Sequence, residues 1–549
     1  MSPVEVPTPA LEPDTEAFWR ACRAGRLELV RCRACRWYVH PPRPSCPRCH
    51  ARELGWEPVS GRGRVASFTV NHQAWMPGMV VPYVIGLVEL AEQGDLRLTT
   101  NVVGCAADAV HVDMPVRVTF RTVNVDVALP LFEPDPDAAA APPPPSSQRR
   151  PLPAARRPNA EQRLERRAIV SGVGQSRIGR RLMRTGMDLT CEAALRAIAD
   201  AGLQPDDVDG LATYPGPLAG GGAGFAGPGE AEVQDALGLR LGWHCSTGEG
   251  AAQLGPVMLA VLAVAAGLCR HALVYRTVTE ATAAAGRAGI AAGARTVGGL
   301  QQWVVPFGAM SPANWIAMHA TRHMHAFGTT REHLAEVALA ARGHAALNPD
   351  AVYREPLTLE QYLAARMVSS PFGLYDCDTP CDGSTAVVIS TADAARDLPK
   401  PAVRIDAMGG ALRSRPSWDQ WEDLTTMAAR DAAAQLWARA EVAPADVDTV
   451  QLYDGFSWLA LAWIEALGFC KAGEGGPFMG GGRVRLGGEL PLNTGGGQLS
   501  GGRLHGFGFL AEGIRQVRRE CGARQVQGCE VALVAAGGGP LAGCLLLTR

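Results

Sequence analysis

Two cysteine pairs near the start of the chain, Cys32-Arg-Ala-Cys35 and Cys46-Pro-Arg-Cys49, are spaced for metal binding. Each pair supplies two thiolates. Four thiolates close a tetrahedral Zn2+ site with no position left for water, so the expected metal is structural. His40 and His50 flank the cluster and read as surface residues rather than ligands. Near the other end, Asn493-Thr-Gly-Gly-Gly-Gln-Leu-Ser-Gly-Gly-Arg-Leu-His-Gly-Phe-Gly508 runs into an expected helix, Phe509 to Glu520. Glycines such as Gly496 and Gly497 let backbone approach a ligand closely. A helix start adds free N–H groups that suit an anion, beside which this loop sets Arg503 and His505. A third stretch, Tyr453-Asp454-Gly455-Phe456, places a phenol at the end of an apolar strand.

The elements that must position these groups fall into four segments. Residues 1–60 hold a short helix, Glu16 to Glu28, ended at Gly25, and then the cysteine knuckles. Residues 61–133 carry short β-branched runs, Arg64 to Asn71, Tyr83 to Leu90, Leu96 to Val103 and Val116 to Val125. Five or so such strands suggest a small OB-type barrel. Residues 134–165, with Ala138–Ala141 and Pro142–Pro145, show no apolar period and read as a semi-rigid linker. Residues 166–549 contain an internal echo. A helix from Cys191 leads to Pro205-Asp-Asp-Val-Asp209 and a strand ending in Tyr214. A helix from Ala428 leads to Pro444-Ala-Asp-Val-Asp448 and a strand ending in Tyr453. Each Tyr lies five residues past the final Asp. Helices at Gly250–Gly267 and Gly506–Gly522 likewise feed strands Ala272–Tyr275 and Val531–Ala535. Such alternation argues for duplicated α/β halves with parallel sheets.

Bulk properties narrow the function. A chain of 549 residues, 47% hydrophobic, holds more than one domain. A net charge of −2 offers no basic field, so nucleic acid is not favoured as a partner. The longest apolar run, near Val257 to Leu268, falls short of the roughly 18 residues a membrane span needs. The N-terminus carries acids and prolines rather than a secretory signal. Of the 15 cysteines four form the cluster and the rest are scattered, which fits a reduced, cytoplasmic protein.

Residues 1–133 resemble the zinc-ribbon-plus-OB accessory family found beside or fused to acyl-CoA enzymes. Phe18-Trp19, the two knuckles, Pro82-Tyr83 and Thr100-Asn-Val-Val-Gly-Cys105 carry the resemblance. Residues 168–549 resemble the thiolase superfamily, nearest its sterol-carrier "lipid transfer" branch. The markers are Ile169-Val-Ser-Gly-Val-Gly-Gln175, Asp376-Cys-Asp-Thr-Pro-Cys-Asp-Gly-Ser384, Tyr453-Asp-Gly-Phe456 with Glu465-Ala-Leu-Gly468, and the Asn493 loop. The resemblance implies layered sheets and helices, a site between the halves, and a homodimer.

The four thiolase catalytic positions are altered. The nucleophilic Cys belongs at or next to Gly250, and Cys245 lies about five residues too early. Tyr453 opens the second motif. Arg503 stands at the third, where the family has His, with His505 two residues on. The fourth, Val534-Ala-Ala-Gly-Gly538-Gly, has no Cys. This pattern resembles the steroid side-chain-cleaving aldolases, thiolase relatives that work with a zinc-ribbon/OB partner. It implies retro-aldol cleavage of a β-hydroxyacyl thioester, with coenzyme A or an acyl carrier as the thiol. That chemistry needs a base, donors for an enolate and an acid, but no thiolate. The implied site is Tyr453 and His505, supported by Asn493, Arg503 and the loop amides, with Tyr375 bordering the pocket. Gly250, Gly496, Gly497, Phe507 and Gly538 would face substrate. The aldolases tend to carry Tyr where this chain has Phe507. The competing expectations are an acyltransferase that recruits Cys245 and a non-catalytic acyl-CoA or lipid-binding scaffold.

Overall fold

The structure, a computed structural model, describes residues 7–138, 155–216, 222–248, 250–285, 296–412, 418 and 423–549. Most of the expected linker, 139–154, lies outside the described residues. Among the described residues, no helix is long and apolar enough to cross a membrane.

The N-terminal helix, Glu16–Arg23, buries Phe18, Trp19 and Cys22 on one face. Gly25, at φ +74°, turns the chain into strand Glu28–Cys32. That strand is the middle of a three-stranded antiparallel sheet with Tyr38–Val39 and Leu54–Pro58. Trp19 stacks on Trp303 of the C-terminal lobe at 5.1 Å, and its Nε1 donates to Gln302 Oε1 at 2.8 Å. His40 is not a surface residue. It is buried, with its ring 4.7 Å from Trp303 and 6.0 Å from Phe18, because the ribbon docks on the lobe there. His50 is exposed.

The barrel consists of strands Arg62–Asn71, Tyr83–Leu90, Arg97–Asn101, Pro115–Thr122 and Ala128–Pro134. A bridge between Val102 and Phe132 brings its edges together. Its first strand extends into the lobe, where Asn71 pairs with Ser369. Thr69 Oγ1 meets Ser369 Oγ at 2.8 Å, and Asn314 Nδ2 donates to Asn71 Oδ1 at 2.9 Å. Buried polar groups bonded in this way fix one register between barrel and lobe.

The lobe is built on nine strands. In spatial order they are Trp243–Ser246, Gly210–Thr213, His271–Thr279, Asp382–Thr391, Ala168–Gln175, Val403–Leu412, Leu541–Thr548, Val531–Gly537 and Thr449–Leu452. The two halves meet through only two residue pairs, Ile169 with Arg404 and Val170 with Val403. The sheets are mixed, not parallel as expected. Gly210–Thr213 runs parallel to its neighbours and Thr449–Leu452 runs parallel to Val531–Gly537. The remaining pairings are antiparallel. Gly538–Pro540 gives one reason: a turn that short joins only antiparallel strands.

Helices Gly255–Ala265 and Phe507–Arg518 lie between the halves. Val257, Val261, Phe509 and Ile514 share one core with Val170, Val387, Val534 and Leu545. The echo has a structural cause. Asp209 accepts from the N–H groups of Arg270 and His271, and Asp448 from those of Glu530 and Val531. Each aspartate thus ties its own strand to the start of the neighbouring one. Five residues later each strand delivers a tyrosine.

Candidate active site

Those two strand ends open on a cavity of about 660 Å³. Tyr214 and Tyr453 line it from the two halves, with Asp378, Arg503 and His505 beside them. Gln73 and Trp75 of the barrel and Ile316, Val368 and Leu374 of the lobe make an outer, largely apolar wall. The barrel therefore closes one side of the chamber.

The polar floor is a chain of charges. Arg503 Nε and Nη2 donate to the two carboxylate oxygens of Glu280 at 3.0 and 2.9 Å, and Nη1 donates to Asp378 Oδ1 at 2.9 Å. His505 Nε2 meets Glu280 Oε2 at 3.2 Å. Burial raises the Glu280 pKa, but His505 and Arg503 outweigh it and hold the carboxyl at about 2. Burial lowers the His505 pKa to about 4, so the ring is neutral near pH 7. A neutral ring facing an ionised carboxylate carries its hydrogen on Nε2, which leaves the Nδ1 lone pair as the basic site. Burial lifts Asp378 to about 6 against the pull of Arg503. Tyr453 is pushed up by burial and by the Asp378 charge, so it is a phenol at neutral pH. His505 has φ 46° and sits just before Gly506, at φ 88°; the left-handed turn carries the imidazole off the start of helix Phe507–Arg518.

Other expected site residues lie elsewhere. Asn493 is buried behind the cavity. Its Oδ1 accepts from Leu452 N at 2.7 Å, and its Nδ2 donates to Leu452 O and Asp454 Oδ2, both at 2.9 Å. It clamps the strand end that presents Tyr453. Asp454, lifted to about 7 by burial, takes the Gln498 N–H at 2.7 Å. Gly497, at φ +58°, leaves room for the Asp454 carboxylate: a Cβ there would lie 1.9 Å from Oδ2. Gly496 packs on Ala345 in the same turn. Gly538 lines the cavity, but its N–H is spent on Leu541 O at 3.0 Å. Phe507 is fully buried in the core between the halves. Tyr375 is outside the cavity wall, with the Arg342 guanidinium 5.6 Å from its ring.

The sulfur positions are clear. Gly250 is exposed and does not line the cavity. The residues at the start of the buried helix that do are Gln253 and Ala252, the latter in a strained left-handed conformation at φ 50°. An alanine cannot act as a nucleophile. Cys245 lies in edge strand Trp243–Ser246, apart from the cavity lining. Cys377 is in the wall, but burial and the neighbouring Asp376 and Asp378 push its pKa well up, and its Sγ lies 3.5 Å from Gly373 O. It is a protonated thiol far from thiolate character.

Sequence reasoning missed Glu280, Asp378 and Tyr214, and also Arg276, whose guanidinium lies 5.4 Å from the Tyr214 ring centroid. Asp378 lies inside the Asp376–Ser384 stretch already singled out, and Tyr214 inside the echo. Arg276 gave a signal, a charge within the apolar strand His271–Thr279. Glu280 gave none.

The four ribbon cysteines bring their Sγ atoms within 4.8 Å of one another, and the pairs Cys32–Cys49 and Cys35–Cys46 are each at 3.6 Å. Thiolates tetrahedral about Zn2+ at about 2.3 Å stand roughly 3.8 Å apart. The residues fit structural zinc.

Together these features define a thiolase-type lobe that has lost its cysteine chemistry and carries a zinc ribbon and barrel in the same chain. Family models agree: a rubredoxin-like zinc ribbon of the ChsH2 type matches residues 19–55, the ChsH2 C-terminal OB-fold 56–121, and a thiolase C-terminal domain 410–545. The chain is 35% identical to a "steroid side-chain-cleaving aldolase" of Thermomonospora curvata, over 69% of this chain and 97% of that one. It is also 35% identical to a "17-hydroxy-3-oxo-4-pregnene-20-carboxyl-CoA lyase" of Mycobacterium tuberculosis, over 70% of this chain and all of the other, 100%. A solved "Ltp2-ChsH2(DUF35) aldolase" superimposes with a TM-score of 0.64 at 34% identity, covering 70% of this chain and 98% of that one. The chain belongs to the family of thiolase-like, steroid side-chain-cleaving aldolases.

Proposed function

We propose that the protein is a carbon–carbon lyase that cleaves a β-hydroxyacyl-CoA by a retro-aldol reaction, with no covalent intermediate. The observation that carries this reading is a cavity lined by Tyr453 and His505, the latter backed by Glu280, with alanine at the helix start where a nucleophile would stand. His505 takes the β-hydroxyl proton on Nδ1 while Glu280 fixes its tautomer, as carboxylate–imidazole pairs do. Tyr453, kept as a phenol, donates to the thioester oxygen as the enolate forms. The helix start at Ala252–Leu254 favours the same negative charge. Arg503 holds Glu280 and Asp378 in place, and Asn493 with the Gly496–Gly497 turn sets the Tyr453 strand end. The apolar outer wall suits a bulky, ring-bearing acyl chain.

The unit works as ribbon 1–60, barrel 61–133, linker 134–165 and lobe 166–549, in the cytoplasm and as a homodimer through the lobe. The test is mass analysis after incubation with β-hydroxyacyl-CoA thioesters. A carbonyl product plus a shortened acyl-CoA is expected. Acyl exchange onto free thiol that is lost on alkylating Cys245 would establish an acyltransferase instead. Tight binding of every thioester without turnover would leave a scaffold.

A further inference from the structure

Arg276 is the most anomalous charge in the lobe. Its side chain is completely buried. Its Nη1 donates to Phe225 O at 2.6 Å and Thr277 O at 3.3 Å, while Nε and Nη2 have no hydrogen-bond partner. No carboxylate forms an ion pair with it among the described residues. Its guanidinium lies instead against two cavity rings, 5.4 Å from the Tyr214 centroid and 4.8 Å from that of Phe225. The Glu280 carboxylate favours this cation only at a distance; a buried charge with no direct ion pair costs several kcal/mol, and a buried donor without an acceptor calls for a cause. The phenol ring of Tyr214, against which the guanidinium lies, offers one. It lines the cavity and makes no hydrogen bond among the described residues, and burial raises its pKa while Arg276 lowers it.

Retro-aldol cleavage needs two proton transfers, one from the β-hydroxyl and one onto the α-carbon. His505 and Glu280 serve the first. Phe507 cannot serve the second, being a hydrocarbon ring sealed in the core. Tyr453 is poorly suited as well, because Asp378 opposes any negative charge on its oxygen.

We propose that Tyr214 is a second catalytic residue, which protonates the α-carbon of the thioester enolate, and that Arg276 is a positioning residue that stabilises the resulting phenolate. This rests on the aldolase reading. The balance is complete. The β O–H bond breaks and its proton goes to His505. The Cα–Cβ pair moves into the enolate as a carbonyl forms at Cβ. The Tyr214 O–H bond then breaks and a Cα–H bond forms. The His505 proton returns to Tyr214 through solvent, so no oxidant or co-reactant is required. In reverse, the Tyr214 phenolate removes an α-proton from the shorter acyl-CoA.

The reverse step gives the test. The intact protein is incubated in D2O with the shortened acyl-CoA alone, and deuterium entering its α-carbon is followed by mass spectrometry, beside the cleavage assay. Tyr214→Phe, which removes one hydroxyl without a partner, is expected to slow α-exchange by about 100-fold or more. In Arg276→Gln, the alkaline rise in exchange rate is expected to move up by at least about one pH unit, with Arg276→Lys restoring most of the wild-type profile. A purely structural arginine would alter yield or thermal midpoint without moving that profile. Wild-type cleavage together with unimpaired exchange in Tyr214→Phe overturns the assignment of Tyr214 alone. An unmoved exchange profile in a folded Arg276→Gln overturns the role of Arg276. If Arg276→Gln does not fold, the uncharged Arg276→Met takes its place: an exchange profile moved up as for Gln supports that role, and an unmoved one overturns it. A wild type that cleaves no β-hydroxyacyl thioester overturns the aldolase reading and this inference with it.

Discussion

Tyr214 and Tyr453 occupy matching places in the two halves of the lobe, yet a guanidinium lies against one ring and a carboxylate beside the other. The strands, the preceding aspartates and the five-residue spacing repeat. What diverged is the next layer: Arg276 in the first half, and Asp378 reaching across to the second. Duplication supplies two equivalent phenols, and the surrounding charges make them unequal. A phenol beside an anion stays protonated and donates a hydrogen bond. One against a cation gives up its proton more readily.

The largest effect should come from breaking the charge network that separates the two. Arg503→Met leaves Glu280 and Asp378 buried without their shared cation, and a loss of about 3–5 kcal/mol is expected from the midpoint of urea unfolding. Tyr453→Phe should leave folding intact and lower kcat by about 10²–10⁴-fold in a carbonyl-release assay. Unchanged turnover in that variant would end the comparison, since only one phenol would then matter. Asp378 allows a test by pH. Its folded pKa, about 6, is raised above the ordinary 3.8, so its stabilising contribution is present at low pH and is lost as pH rises through that window. Wild type should therefore lose up to about 3 kcal/mol between pH 4 and 7 through this group. Asp378→Asn should flatten that slope in thermal unfolding. Phe507→Tyr asks whether a tyrosine there restores a second phenol. The ring is sealed in the core, so a cost of about 1–3 kcal/mol for an unpartnered hydroxyl is expected, with no gain in turnover. The smallest effect is at the rim: Trp75→Ala should raise KM for bulky acyl chains by about tenfold and leave kcat nearly unchanged.

Much of this molecule follows from local sequence. The knuckles Cys32-x-x-Cys35 and Cys46-x-x-Cys49 define the ribbon, since four thiolates have one good use at that spacing. The barrel strands follow from β-branched runs between turns. The echo around Pro205 and Pro444 marked the duplication and carried both tyrosines, though only Tyr453 was singled out from it. Strand direction was not readable in the same way, because an apolar run reads alike in parallel and antiparallel pairing. His40 and Asn493 show a second limit. Both were read from their neighbours in the chain, and both are governed by partners far away, Trp303 and Leu452.

Residue order by itself determined the zinc ligands, the paired tyrosines and the absence of cysteine from the Gly250 and Val534–Gly539 stretches, because each depends on identities at short spacing. Only the tertiary structure decided which charges surround those tyrosines. Arg276 lies in strand His271–Thr279, Glu280 opens the helix directly after it and Asp378 comes from a distant loop, and a pKa is set by distance and burial, which neighbours in sequence do not encode.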